Sequence, residues 1–120
     1  MTRRRRPEQD VQKTVAEHLR LRRAPSVYWF HPANGGARTA IEGAFLKACG
    51  VRAGTPDLIC IRDGKTYGLE IKADGGRLSE SQRIAPDEMR AARAEVAVAV
   101  GIDQAPERLE GWGLLRGRVT

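Results

Sequence analysis

The chain has 120 residues, 41% hydrophobic and 30% charged, with 21 Lys and Arg against 15 Asp and Glu for a formal net charge of +6. That length gives one core and leaves no room for a second domain, and the apolar content excludes a disordered chain. Without a run of about 18 apolar residues, or an apolar segment after the basic start of "MTRRRRPEQD", neither a membrane-spanning helix nor a secretory signal is expected, and the expected location is the cytoplasm.

Residues 1–6 are read as a basic, flexible arm. From Glu8 to about Arg23, Val11, Val15, Ala16 and Leu19 recur at spacings of three and four, the stripe of an amphipathic helix. Pro7 suits its first turn, where no amide hydrogen is needed, and Glu8 suits the positive end of the helix dipole. Pro25-Ser26 ends it, and "VYWFH" strings β-branched and aromatic residues into a short strand that stops at Pro32. "PANGGAR" reads as a loop, because Asn-Gly-Gly disfavours both regular structures. A second helix is expected over roughly Thr39 to Cys49, with Ile41, Ala44, Phe45 and Ala48 on one side and Gly50 as its stop.

"DLICIR" and "TYGLEIK" form an antiparallel hairpin across Asp63-Gly64, a tight-turn dipeptide. A helix begins near Ser79, and Pro86 is expected to kink or split it near Ala85. The strand "EVAVAV" and a short helix from about Asp103 to Leu109 close the chain. This order predicts an α/β fold, a mixed sheet covered by helices. Cys49 and Cys60 have no CxxC or Cys/His spacing and read as buried thiols without chemistry.

The basic balance builds a positive field and favours nucleic acid as partner. Against that background the hairpin carries the chemistry. Side chains alternate along a strand, so Glu70 and Lys72 share one face about 7 Å apart, while Ile71 points into the opposite layer. Asp57 opens the preceding strand, and the hairpin folds it back beside Glu70 and Lys72. Two carboxylates with backbone oxygen are hard ligands for Mg²⁺ or Mn²⁺, and such an ion beside a lysine suits phosphodiester hydrolysis. Taken singly, Asp57 could merely close a turn, and Glu70 and Lys72 could be a solvated edge face. The joint pattern favours the site.

Pro56-Asp57 followed by Glu70-Ile71-Lys72 matches the signature of the PD-(D/E)XK nuclease superfamily, and the wider frame resembles its VRR-NUC branch. The pieces that carry the likeness are "PEQDVQKTVAEHL", "HPANGGAR", "LKACGVRAGTPDLI", "GLEIKADGGRLSESQ" and "AVAVG". The resemblance implies a restriction-endonuclease-like fold, a mixed central sheet flanked by helices. It makes Asp57 and Glu70 metal ligands, adds the Ile71 carbonyl, and gives Lys72 the attacking water. It makes Glu8 a further ligand, ahead of Gln12 on the same helix face, with Glu17 as the rival acid.

Gln82 stands between two readings: Ser79-x-x-Gln82 is a capping box, and the family likeness turns Gln82 toward the site. Asn34, Gly35 and Gly36 form either a phosphate-approaching loop or a plain turn, with Arg38 a DNA-backbone contact beside it. His18 and His31 could be ligands or bases, but His18 lies on a helix otherwise explained and His31 ends a strand, so both read first as structural; Trp112 reads as a packing anchor ahead of a base-stacking platform. The function implied is a Mg²⁺- or Mn²⁺-dependent endonuclease acting on branched DNA, four-way junctions first, as a two-fold homodimer. A non-catalytic DNA-binding module and a nuclease for flaps, ends or specific sequences are the alternatives. The sequence identifies no protein partner, whether a helicase or another replication-repair factor.

Overall fold

In a computed structural model, which describes residues 7–32 and 39–117, the elements follow the order read from the sequence. They are α1 (Pro7–Arg22), β1 (Tyr28–Phe30), α2 (Ala40–Ala48), β2 (Leu58–Arg62), β3 (Lys65–Lys72), α3 (Glu80–Ala91), β4 (Glu95–Val100) and α4 (Gly101–Gly111). The strands form one mixed sheet in the order β1-β2-β3-β4: β1 and β3 each run antiparallel to β2, and β4 runs parallel to β3. Asp63 and Gly64 take φ of 51° and 76°, the left-handed pair that a two-residue hairpin turn requires.

Alternation along the strands sorts the residues into two layers. Leu58, Cys60, Leu69, Ile71 and Ala99 face Val11, Val15 and Leu19 of α1 and Ala105 and Leu109 of α4, and together they are the core. Val15, Leu19 and Leu109 are fully buried, so the apolar stripe of α1 does bind it to the sheet. The opposite face carries Ile59, Gly68, Glu70 and Lys72. Here α3 packs by β4, and Gly68 has no side chain because a Cβ would meet Pro56 Cγ at 3.0 Å and Met89 Cε at 3.3 Å. Toward β1 this face is uncovered and leaves Tyr28, Phe30 and Ile61 exposed.

Two expectations are corrected. Pro86 neither splits nor ends α3, which runs unbroken from Glu80 to Ala91. The ring forfeits one hydrogen bond, to the Gln82 carbonyl, and is buried together with Ala85 on the sheet-facing side, which offsets the loss. Cys49 is exposed as the C-cap of α2; Cys60 is buried, and burial pushes its thiol up to about 12. The sequence did not say what the apolar stripe of α2 meets; no residue of the helix is buried, and Ile41 and Phe45 are 83% and 66% exposed. No helix among the described residues is long and apolar enough to cross a membrane. Residues 1–6 and Asn34, Gly35, Gly36 and Arg38 lie outside the described residues.

Candidate active site

Extending the β2–β3 register by one step sets Asp57 opposite Glu70. Asp57 Oδ2 accepts the Ile71 amide N–H at 2.8 Å, which fixes this carboxylate against the backbone between Glu70 and Lys72. Glu70 is only 2% exposed and Lys72 8%, with Lys72 Nζ 3.9 Å from Glu70 Oε2. The turn before Asp57 is held from the other side. Gly54 sits at φ +80°, and a Cβ there would lie 1.9 Å from the Ser81 carbonyl oxygen, so only glycine lets the turn rest on the first turn of α3.

That contact brings Gln82 over the site, where it acts in both of the roles that the sequence left open. Its Oε1 accepts the Ser79 N–H at 2.9 Å, while Ser79 Oγ accepts the Gln82 N–H at 3.2 Å, completing a capping box. Its Nε2 donates to Glu70 Oε2 at 2.8 Å. One amide therefore ties the start of α3 to the buried carboxyl.

From the other side, Glu8 and Gln12 of α1 line a cleft of about 300 Å³ together with His31, Thr55 and Asp57. The Gln12 Oε1 is buried and has no hydrogen-bond partner among the described residues. Glu8 Oε2 lies 3.5 Å, and the Lys72 stem 3.3 Å, from the point where a Cβ on Gly76 would stand, so the turn after β3 lets the two side chains approach. Glu17 is exposed and takes no part in the cleft. His31, which the sequence reading put first as structural, sets Nδ1 against the Asp57 carbonyl oxygen. A carbonyl only accepts, so Nδ1 carries the proton. The signal for His31 lay in β1 pairing with β2, which a helix and a loop between the two strands concealed.

Burial raises the Asp57 carboxyl, opposed by the Ile71 N–H, His31 and Lys72, while Glu8 adds to the rise. Glu70 is pushed up to about 8, first by burial and then by Asp57, with Lys72 the main opposing charge. The two carboxyls thus stand side by side, and Asp57 raises the cost of ionising Glu70. Such a pair calls for positive charge beyond what one lysine gives.

The donors suit a hard divalent cation. Among the described residues no three His, Cys, Asp or Glu side chains form a ready cage, but Mg²⁺ is usually held by one or two carboxylates and keeps several waters for substrate oxygens to replace. Asp57 and Glu70 are such a pair, with the orphaned Gln12 oxygen and Glu8 at the cleft wall and no thiolate nearby.

The family model for the VRR-NUC domain matches residues 6–103, which contain every residue of this site. A solved structure described as a "VRR_NUC domain protein" superposes with a TM-score of 0.73 at 23% identity, over 92% of this chain and 90% of the other. A second, described as a "VRR_NUC domain", gives 0.59 at 21% identity over 90% and 99%. No curated protein matches the chain. The two structures share the fold, the family match spans most of the length, and on that match this chain belongs to the VRR-NUC family of nuclease-type, DNA-processing domains.

Proposed function

We propose that the protein is a Mg²⁺- or Mn²⁺-dependent endonuclease that hydrolyses the DNA phosphodiester backbone, with four-way junctions as its first candidate substrate. The observation that carries this reading is the pairing of the half-buried Asp57 with the buried Glu70, fixed by the Ile71 amide and by Gln82 and faced by Lys72. A pure binding module gains nothing from setting a buried carboxyl beside a second one, which costs stability and repels phosphate.

Asp57 and Glu70 would hold the cation, joined by the Ile71 carbonyl and, from α1, by Glu8. When bound, such an ion would supply Lewis-acid polarisation of a phosphoryl oxygen and a lowered pKa for water. Lys72 orients the attacking water and offsets negative charge that grows on the phosphoryl oxygens. Gln82 keeps Glu70 from turning away. Water oxygen bonds to phosphorus, the bond to the 3′ oxygen breaks, and the products are a 5′-phosphate and a 3′-hydroxyl. The uncovered apolar surfaces on α2 and beside β1 support a homodimer, and a two-fold dimer sets two sites on a symmetric junction.

The test incubates labelled four-way junction, flap, single-stranded and linear duplex DNA with Mg²⁺, Mn²⁺ or EDTA, beside Asp57→Asn and Lys72→Ala. Cutting is expected with either metal, none in EDTA, and a loss of about a hundredfold or more in each variant. Binding of every substrate with no cutting of any would refute catalysis and leave the binding module.

A further inference from the structure

The active site has a second exit. Behind Glu70, a hollow of about 170 Å³ runs between α3 and β4, lined by Arg83, Arg90 and Val96. A further hollow of about 360 Å³ shares Arg90 and Val96 with it and ends at Arg108 and Trp112 of the α4 terminus. The two adjoin at Arg90, which donates to the Val96 carbonyl at 2.9 Å, and together they line a shallow groove along the outer edge of the sheet, with Glu70 at one end and Trp112 at the other.

Its charges are not balanced internally. Asp87 is paired with Arg90 at 3.0 Å, and Glu95 lies 3.8 Å from Lys65. Arg83 and Arg108 are exposed and pair with no carboxylate among the described residues. Arg83 reaches only the Leu78 carbonyl, and Arg108 lies over the Trp112 ring at 5.9 Å. Arg83 and Arg90 are seven residues apart on α3, two turns, and so share one face about 10 Å apart. Added strands are discouraged along β4, since Arg90 donates to the Val96 carbonyl and Gln104 Oε1 accepts the Val100 N–H. What remains, beside Glu70, Asp87 and Glu95, are the two arginines unpaired among the described residues, Arg83 and Arg108, and the open part of the half-buried Trp112 indole, whose ring also packs on Tyr67. Phosphates on arginine and a base on an aromatic ring form the pattern by which proteins hold an unpaired nucleic-acid strand. Arg108 and Trp112 lie beyond the residues matched by the family model, so this end belongs to the chain itself.

We infer that this groove seats a single-stranded segment of the DNA substrate, running from the cleavage site to Trp112. The inference deepens the nuclease reading and rests on it for the identity of the polymer. On this inference a branched DNA with an unpaired strand beside the point of cutting binds more tightly than the fully paired four-way junction.

The experiment measures affinity by fluorescence anisotropy in EDTA, for a duplex with an oligothymidine tail and for the same duplex blunt. The wild type, Arg83→Gln/Arg108→Gln and Trp112→Phe are compared, and the wild type is assayed for cutting with Mg²⁺ in parallel. Tighter binding of the tailed DNA is expected, with the ratio of the two affinities reduced roughly tenfold in the double variant and the salt dependence for the tailed DNA shallower by about two. Trp112→Phe keeps the packing on Tyr67 and should lose most of the indole quenching caused by the tail. An unchanged ratio in the double variant overturns the groove even if the wild type cuts DNA. A lowered ratio with a wild type that cuts nothing upholds the groove and refutes the nuclease.

Discussion

Glu70 makes the folded protein sensitive to pH in a direction opposite to most carboxylates. Its folded pKa of about 8 lies above the ordinary 4.5, so folding favours the protonated form. The contribution is full below 4.5 and is lost as pH rises through about 8. Without metal, the melting temperature should therefore fall across that window, and Mg²⁺ should raise it more at the alkaline end. In Glu70→Gln the fall should flatten; scanning calorimetry that gives parallel curves for both proteins would refute the account. Gln82 admits a separate test. Gln82→Glu keeps a side chain able to cap the Ser79 N–H but turns a third carboxylate toward Glu70. Activity should drop at least about tenfold while helix content is retained, whereas equal loss of fold and activity would reduce Gln82 to a cap. The residues of the hairpin were legible because alternation and one tight turn set their geometry. His31 was not, because a partner distant in sequence decides where a strand end lies.

Among the elements, those with strong local grammar fell where the pattern put them. The capping box Ser79/Gln82 starts α3, and the strand over "EVAVAV" is β4 without adjustment; the matching box Thr39/Glu42 at the start of α2 was there to read and was passed over. The shortfalls have one cause, that local pattern does not say what a face meets. The pattern shows the α2 stripe without saying what it meets, and the stripe is open to solvent, while Pro86 looked like a break and is buried on the sheet. Gly54 belongs to this scale because it joins the Asp57 turn to α3. Gly54→Ala should cost at least about 2 kcal/mol in urea unfolding, through positive φ and the Ser81 clash. Its activity at a temperature where it is folded should fall further still, since Asp57 and Gln82 are displaced relative to each other. A variant as active and as stable as the wild type would refute the contact.

For the whole molecule, the mixed sheet, its central hairpin and the two faces of that hairpin follow from the alternation of the strands and the single stripe of α1, and these were legible, whereas the place of β1 beside β2 was not. Assembly was not, since an apolar face reads alike whether the chain or a second copy covers it. If α2 lies in a homodimer interface, Phe45→Glu should convert the protein to a monomer in light scattering while monomer stability moves by no more than about 0.5 kcal/mol, because the helix buries nothing of its own. A wild type that is already monomeric at the concentrations where it cuts DNA would refute the dimer.

The two cysteines divide unevenly between surface and core, and that has a practical use. Cys60 is sealed under the sheet with its thiol pushed up to about 12, so it resists alkylation near neutral pH. Cys49 caps α2 in open solvent. A maleimide dye added to the unaltered protein should therefore attach at one point, one turn beyond Phe45, and report directly on whether anything comes to rest against that helix.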